Sequence, residues 1–139
     1  MDTNDDNNKM RFYHQEARGP TLNGIITCGS QAGYESGQEF SLEQTIGFLN
    51  EINGKRSERR ETTIPCIVKE GTLIGRSGDS DYRERVYQLE FSWSPRYTAI
   101  PKETFRDALL SYADELGQRM KQQRMYVEFE DETFVLKTL

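Results

Sequence analysis

Arg83, Arg85 and Tyr87 are the side chains best placed to do chemistry, because they alternate along one run and share a face if that run is a strand. Two guanidinium groups beside a phenol clamp a phosphate or carboxylate bidentately and leave a ring for a planar base to stack on. Arg76 sits in the turn-forming run GRSGDSD, from where it would close over such a ligand. The competing reading has these arginines lying along apolar neighbours and paired with Asp79, Asp81 or Glu84.

A glycine-bearing loop is the second candidate. Gly29, Gly33 and Gly37 recur at every fourth position between an apolar run and a helix start, and backbone N–H groups in such a place can hold phosphate. The spacing matches neither the GK[ST] of a P-loop nor G-x-G-x-x-G. Glu35 and Glu39 would also repel an anion there, so a connector is the plainer reading. The candidate ligand-binding set is therefore Arg76, Arg83, Arg85 and Tyr87, with Gly33 from the loop. The ligand expected there is a small anion such as a nucleotide.

Catalytic and metal chemistry find little to use. Two cysteines, Cys28 and Cys66, and one histidine, His14, are too few for a closed zinc site made of Cys and His ligands. Both cysteines lie in apolar runs, IITCG and IPCIV, and read as free, buried thiols of a reducing compartment. His14 has no partner that can be placed beside it, and Ser77, Asp79 and Ser80 lie in a turn without a nucleophile elbow. Asp79 and Asp81 suit Mg²⁺ with a phosphate, but DSD is also ordinary turn composition. No metal and no cofactor are expected, and the reading favours a binding protein over an enzyme.

The elements that must position these residues follow from periodicity. Residues 1–9 carry no apolar side chain after Met1 and read as a disordered tail, leaving residues 10–139 as one domain. MRFYHQ, 10–15, alternates as a first strand, and GIITCG, 24–29, reads as a buried one. Ser41 and Gln44 form a capping box, the apolar stripe Leu42–Ile46–Leu49 continues to Ile52, and Gly54 offers a left-handed stop, which predicts a helix over 42–53. The run 62–74 and the alternating run 83–93 make a long hairpin, with Leu89, Phe91 and Trp93 turned to the core. Pro101 opens a second helix whose stripe runs from Phe105 to Met120, and 125–129 and the final TFVLKTL complete the strands.

The order β-β-α-β-β-α-β-β encloses the β-α-β-β-α-β of an α+β, ferredoxin-like fold: one antiparallel sheet with two helices on one face and extra strands at each end. The second face, carrying Glu84, Gln88 and Glu90, is polar enough to stand in water. The edge strands, with Tyr13, Phe134 and Leu136, and the long hairpin suggest a homo-oligomer. The basic run Lys55–Arg60 and the acidic run Glu128–Glu132 read as solvated loops.

Composition sets the outer limits. The chain has 139 residues, 15 of them aromatic from 7 Phe, 7 Tyr and 1 Trp, enough for a real core in one domain. No apolar run approaches a membrane span, and a net charge of -5 argues against nucleic acid. The expectation is a small cytoplasmic binding or regulatory protein for an anionic ligand. Alternatives are an interaction or inhibitor protein with an acidic surface and an open sheet edge, and an enzyme using carboxylates or His14.

Overall fold

The computed structural model describes residues 12–33 and 37–139. Its elements are β1 (Leu22–Gly29), α1 (Leu42–Glu58), β2 (Cys66–Ser77), β3 (Ser80–Trp93), α2 (Lys102–Arg119), β4 (Arg124–Phe129) and β5 (Glu132–Lys137). The fold is α+β, with five strands in one sheet of order β2-β3-β1-β4-β5, and every neighbouring pair is antiparallel.

The alternation read in 83–93 sets the sheet's two faces. Tyr87, Leu89 and Phe91 are fully buried, and the register places Leu89 level with Val68, Ile26 and, beyond it, Val127. These residues join Leu49 and Ile52 of α1 and Phe105, Leu109, Tyr112 and Leu116 of α2 in one core. Trp93 is at the rim of this core, partly buried against it. On the opposite face Gln88 donates to Thr27, Lys69 pairs with Glu90 at 2.9 Å, and Ile67, Tyr126 and Val135 are exposed. One cross-strand row on this face, Gly71–Val86–Gly29, has a glycine on each side of a buried valine. β1 pairs with β3 no further than this row, so beyond it, apart from the Ser30 N–H bond to the Arg85 carbonyl, β2 and β3 pair only with each other.

Gly24 explains how closely α2 meets the sheet. A Cβ there would collide with Leu109 Cδ1 and lie 3.0 Å from the Glu128 carbonyl oxygen. A side chain would push the helix off β1.

Three expectations need correction. Met10 and Arg11, which open the expected first strand, lie outside the described residues, and 12–15 form no strand: Phe12 and Tyr13 are 90% and 81% exposed. This segment is tied instead to the loop after β3, through Glu16 to Arg96 at 3.4 Å and Gly19 against Pro95. The sheet therefore has five strands among the described residues. α1 does not stop at Gly54 but runs to Glu58, because Arg56 is buried and anchored to the Thr62 carbonyl and to Ser111 of α2. The left-handed residue that releases the chain is Arg60, at φ 60°. Lys55–Glu58 is accordingly helix rather than connecting loop. No helix among the described residues is long and apolar enough to cross a membrane.

Candidate functional site

The residues singled out around the hairpin part into separate places. β1 ends at Gly29, and the following loop folds back on itself: Ala32 N–H donates to the Gln38 carbonyl, and Phe40 N–H to the Ser30 carbonyl. Gly33 and Gly37, both at φ 70°, take the left-handed turns that permit this. The returning strand carries Glu39 beside Ser30, whose hydroxyl donates to its carboxylate at 2.8 Å. Ser30 N–H in turn donates to the Arg85 carbonyl, so the loop is stitched to β3. Gln122, after α2, closes the base of the loop by accepting from Gly29 N–H and donating to the Gln31 carbonyl.

The result is a cleft of about 350 Å³ between the loop (Ser30, Gln31, Glu39) and the hairpin (Thr72, Arg83, Glu84, Arg85). Arg85 lies between two carboxylates, 3.4 Å from Glu39 and 3.6 Å from Glu70, all three about half exposed. Arg83, two residues away on the same strand face, has no hydrogen-bond or ion-pair partner among the described residues. The cleft therefore offers one uncommitted guanidinium beside a carboxylate–guanidinium–carboxylate cluster. It suits a small ligand bearing charges of both signs.

The other candidates fall elsewhere. Tyr87 offers no ring for stacking: it is fully buried, and its hydroxyl donates to the Phe40 carbonyl at 2.7 Å. It shares the inward face with Leu89 and Phe91, whereas Arg83 and Arg85, further along that face, lie beyond the helices' cover. Burial, reinforced by the Glu70 carboxylate, pushes its phenol up. Arg76 stays at the hairpin tip, bound to Asp81 at 2.7 Å and to the Asp79 carbonyl, as the competing reading expected. Gly33 borders a small recess with Gln31, Glu84 and Gln122 rather than the cleft. Thus Arg83 and Arg85 come together in the cleft, Arg76 meets Arg83 only in a separate recess at the hairpin tip, and Tyr87 and Gly33 join neither. Ser30 and Glu70 were missed by sequence reasoning, and Glu39 entered it only as a charge that would repel an anion. The paired glycines at 33 and 37 were the available signal, since two left-handed positions so close together turn a loop back.

The nucleophile candidates are poor. Burial pushes the Cys28 thiol up to about 12 and the Cys66 thiol up to about 11, so neither is a thiolate at neutral pH. His14 is exposed on the segment that precedes β1. No cluster of metal-ligating side chains occurs among the described residues.

No protein-family model matches the chain, and no curated protein matches its sequence. Among solved structures it resembles a phage SAM lyase in complex with S-methyl-5′-thioadenosine, with a TM-score of 0.63 and 13% identity over 89% of this chain and 95% of that one. It also resembles a phage SAM lyase in its apo state, with a TM-score of 0.59 and 14% identity over 84% of this chain and 89% of that one. At such identity the likeness is one of fold.

Proposed function

We propose that this chain binds a small adenosine-type molecule of the S-adenosylmethionine class in the cleft between Ser30, Glu39, Arg83 and Arg85. The observation that carries the reading is the uncommitted Arg83 beside the Glu39–Arg85–Glu70 cluster. S-adenosylmethionine is a sulfonium cation with a zwitterionic amino-acid tail. Glu39 on the cleft wall suits its positive groups, with Glu70 adding negative charge beside Arg85, and Arg83 suits its carboxylate. The fold shared with phage SAM lyase, one of whose structures holds S-methyl-5′-thioadenosine, supports the same class of ligand. That thioether nucleoside is what remains of S-adenosylmethionine once the bond between its sulfur and the amino-acid chain is broken. Cleavage of that bond, with the sulfur keeping the bonding pair and the released chain closing on its own carboxylate as a lactone, is the reaction class this reading points to.

Calorimetry with both compounds tests it. S-adenosylmethionine should bind saturably, and Arg83→Ala should weaken it about tenfold while hardly touching S-methyl-5′-thioadenosine, which has no carboxylate. Release of the thioether nucleoside from S-adenosylmethionine, followed by chromatography, tests the lyase form. Absence of heat from either compound would overturn the reading, as would equal heats in the Arg83→Ala/Arg85→Ala double variant.

In architectural terms we read the order β2-β3-β1-β4 as the doubly split arrangement of the ferredoxin-like class, with β5 added beside β4. A cytoplasmic setting and a regulatory role belong to the same proposal. A second reading rests on the hairpin, where Leu73, Ile74 and Tyr82 are 44%, 72% and 45% exposed. Such a ribbon suits contact with a second copy of the chain. Light scattering on Ile74→Asp tests it: an unchanged mass would set the second reading aside.

A further inference from the structure

A second concave site lies at the far end of β3 from the cleft. The cavity holds about 940 Å³ between the carboxyl half of α1 (Asn53, Gly54, Ser57), the 63–65 segment and the turn after β3 (Trp93, Arg96, Tyr97). We propose that this groove binds a nucleoside 5′-monophosphate, with the base on the aromatic corner and the phosphate on Arg96.

Four observations point that way. The Trp93 and Tyr97 rings stand 5.3 Å apart at 62°, so a planar ring laid on one meets the edge of the other. The indole N–H is already donated to the Thr98 carbonyl at 3.1 Å, which fixes the ring without consuming a group the ligand needs. The Asn53 carbonyl oxygen accepts from the Tyr112 hydroxyl, which orients the amide and leaves its NH₂ as a donor for a base edge. Arg96 sits on a turn held by Ser94, and its partner is Glu16 at 3.4 Å, both side chains about two-thirds exposed. A phosphate can displace so exposed a partner, because it presents more charge and accepts bidentately. Gly54 completes the picture. It is inside a helix, a costly place for glycine, and nothing lies within 4 Å of where its Cβ would be. It lines the groove, so a side chain there would occupy room that the ligand needs.

Trp93 is the only tryptophan in the chain, so its fluorescence reports on this groove alone. The probes are adenosine 5′-monophosphate, adenosine and inorganic phosphate. The monophosphate should change the emission saturably, adenosine should bind about tenfold more weakly, and phosphate alone should leave the emission unchanged. Arg96→Ala should bring the monophosphate down to the affinity of adenosine. Glu16→Gln should strengthen the monophosphate and leave adenosine unaltered. Gly54→Val should abolish the response while the helical circular dichroism persists, and Gly47→Ala, another open helical position, should leave it intact. The inference fails if there is no saturable response, if Arg96→Ala leaves the preference for the phosphate, or if Gly54→Val still binds. The Arg83→Ala/Arg85→Ala variant separates this site from the cleft: it should not move the titration, and a lost Trp93 response in that variant would overturn the groove while leaving the cleft standing.

Discussion

At the scale of single residues, the fold is most sensitive where side chains have no room or no water. Gly24→Ala places a methyl against Leu109 and the β4 backbone, and overpacking of that kind costs about 1–3 kcal/mol. The expected result is a lower urea midpoint with an unchanged slope. Burial raises the pKa values of Cys28, Cys66, Tyr87 and Tyr112. Each holds its proton more tightly folded than unfolded, so its contribution to stability is complete below the unfolded pKa and is lost as pH rises towards the folded one. Melting temperature should therefore fall above about pH 9, where an ordinary thiol ionises, and Cys28→Ala should fall less steeply. The site was partly legible at this scale. Arg83 and Arg85 could be read from their alternation and charge. Glu39 and Glu70 could not, because their approach to Arg85 depends on a folded-back loop and on a cross-strand register that no local pattern encodes.

At the scale of elements, local signals succeeded wherever they were reinforced by packing. Ser41 accepts from Gln44 N–H, and the Gln44 side chain accepts from Ser41 N–H, so the start of α1 stood in the sequence as a capping box. Ser41→Ala should cost about 1 kcal/mol in a thermal or urea melt. The end of α1 was misread at Gly54 because the forces that extend it are tertiary. Arg56 lies over the Tyr112 ring, donates to Ser111 and approaches Glu115 at 3.5 Å. The buried Glu115 Oε2 has no hydrogen bond of its own and Arg56 is the cation beside it, so removing the arginine leaves that oxygen uncompensated while Arg59 stays 3.6 Å from the other carboxylate oxygen. Arg56→Ala should cost roughly 3–5 kcal/mol, and the double variant Arg56→Ala/Glu115→Ala should recover part of that loss. The expected strand at 10–15 illustrates the opposite error. Its described part alternates, yet it finds no sheet edge, and Glu16 and Gly19 hold the segment near the turn after β3 instead.

At the scale of the whole molecule, two helices cover one face of the sheet, and the charged cleft and the aromatic groove sit at opposite ends of β3. The separation predicts independence. Substitutions at Arg83 or Arg85 and at Arg96 should add in their effects on stability within about 0.5 kcal/mol, as distant sites do, when compared in a double-mutant cycle. The two-helix layer was legible because the apolar stripes of both helices matched the inward positions of β1 and β3. The groove was not, since its walls come from three stretches remote in sequence.

The glycines flanking Val86 carry one more consequence. Past Arg85, which the Ser30 N–H and the Glu39 carboxylate still hold, the ribbon is anchored by its own ladder, and a lone pair of strands is only marginally stable in water. Deuterium should enter the backbone amides between residues 73 and 84 well ahead of those nearer the core, with a sharp step at that point. The ribbon would swing as a lever about a fulcrum, carrying Arg83 towards and away from the opposite wall of the cleft and so setting how often the cleft is assembled.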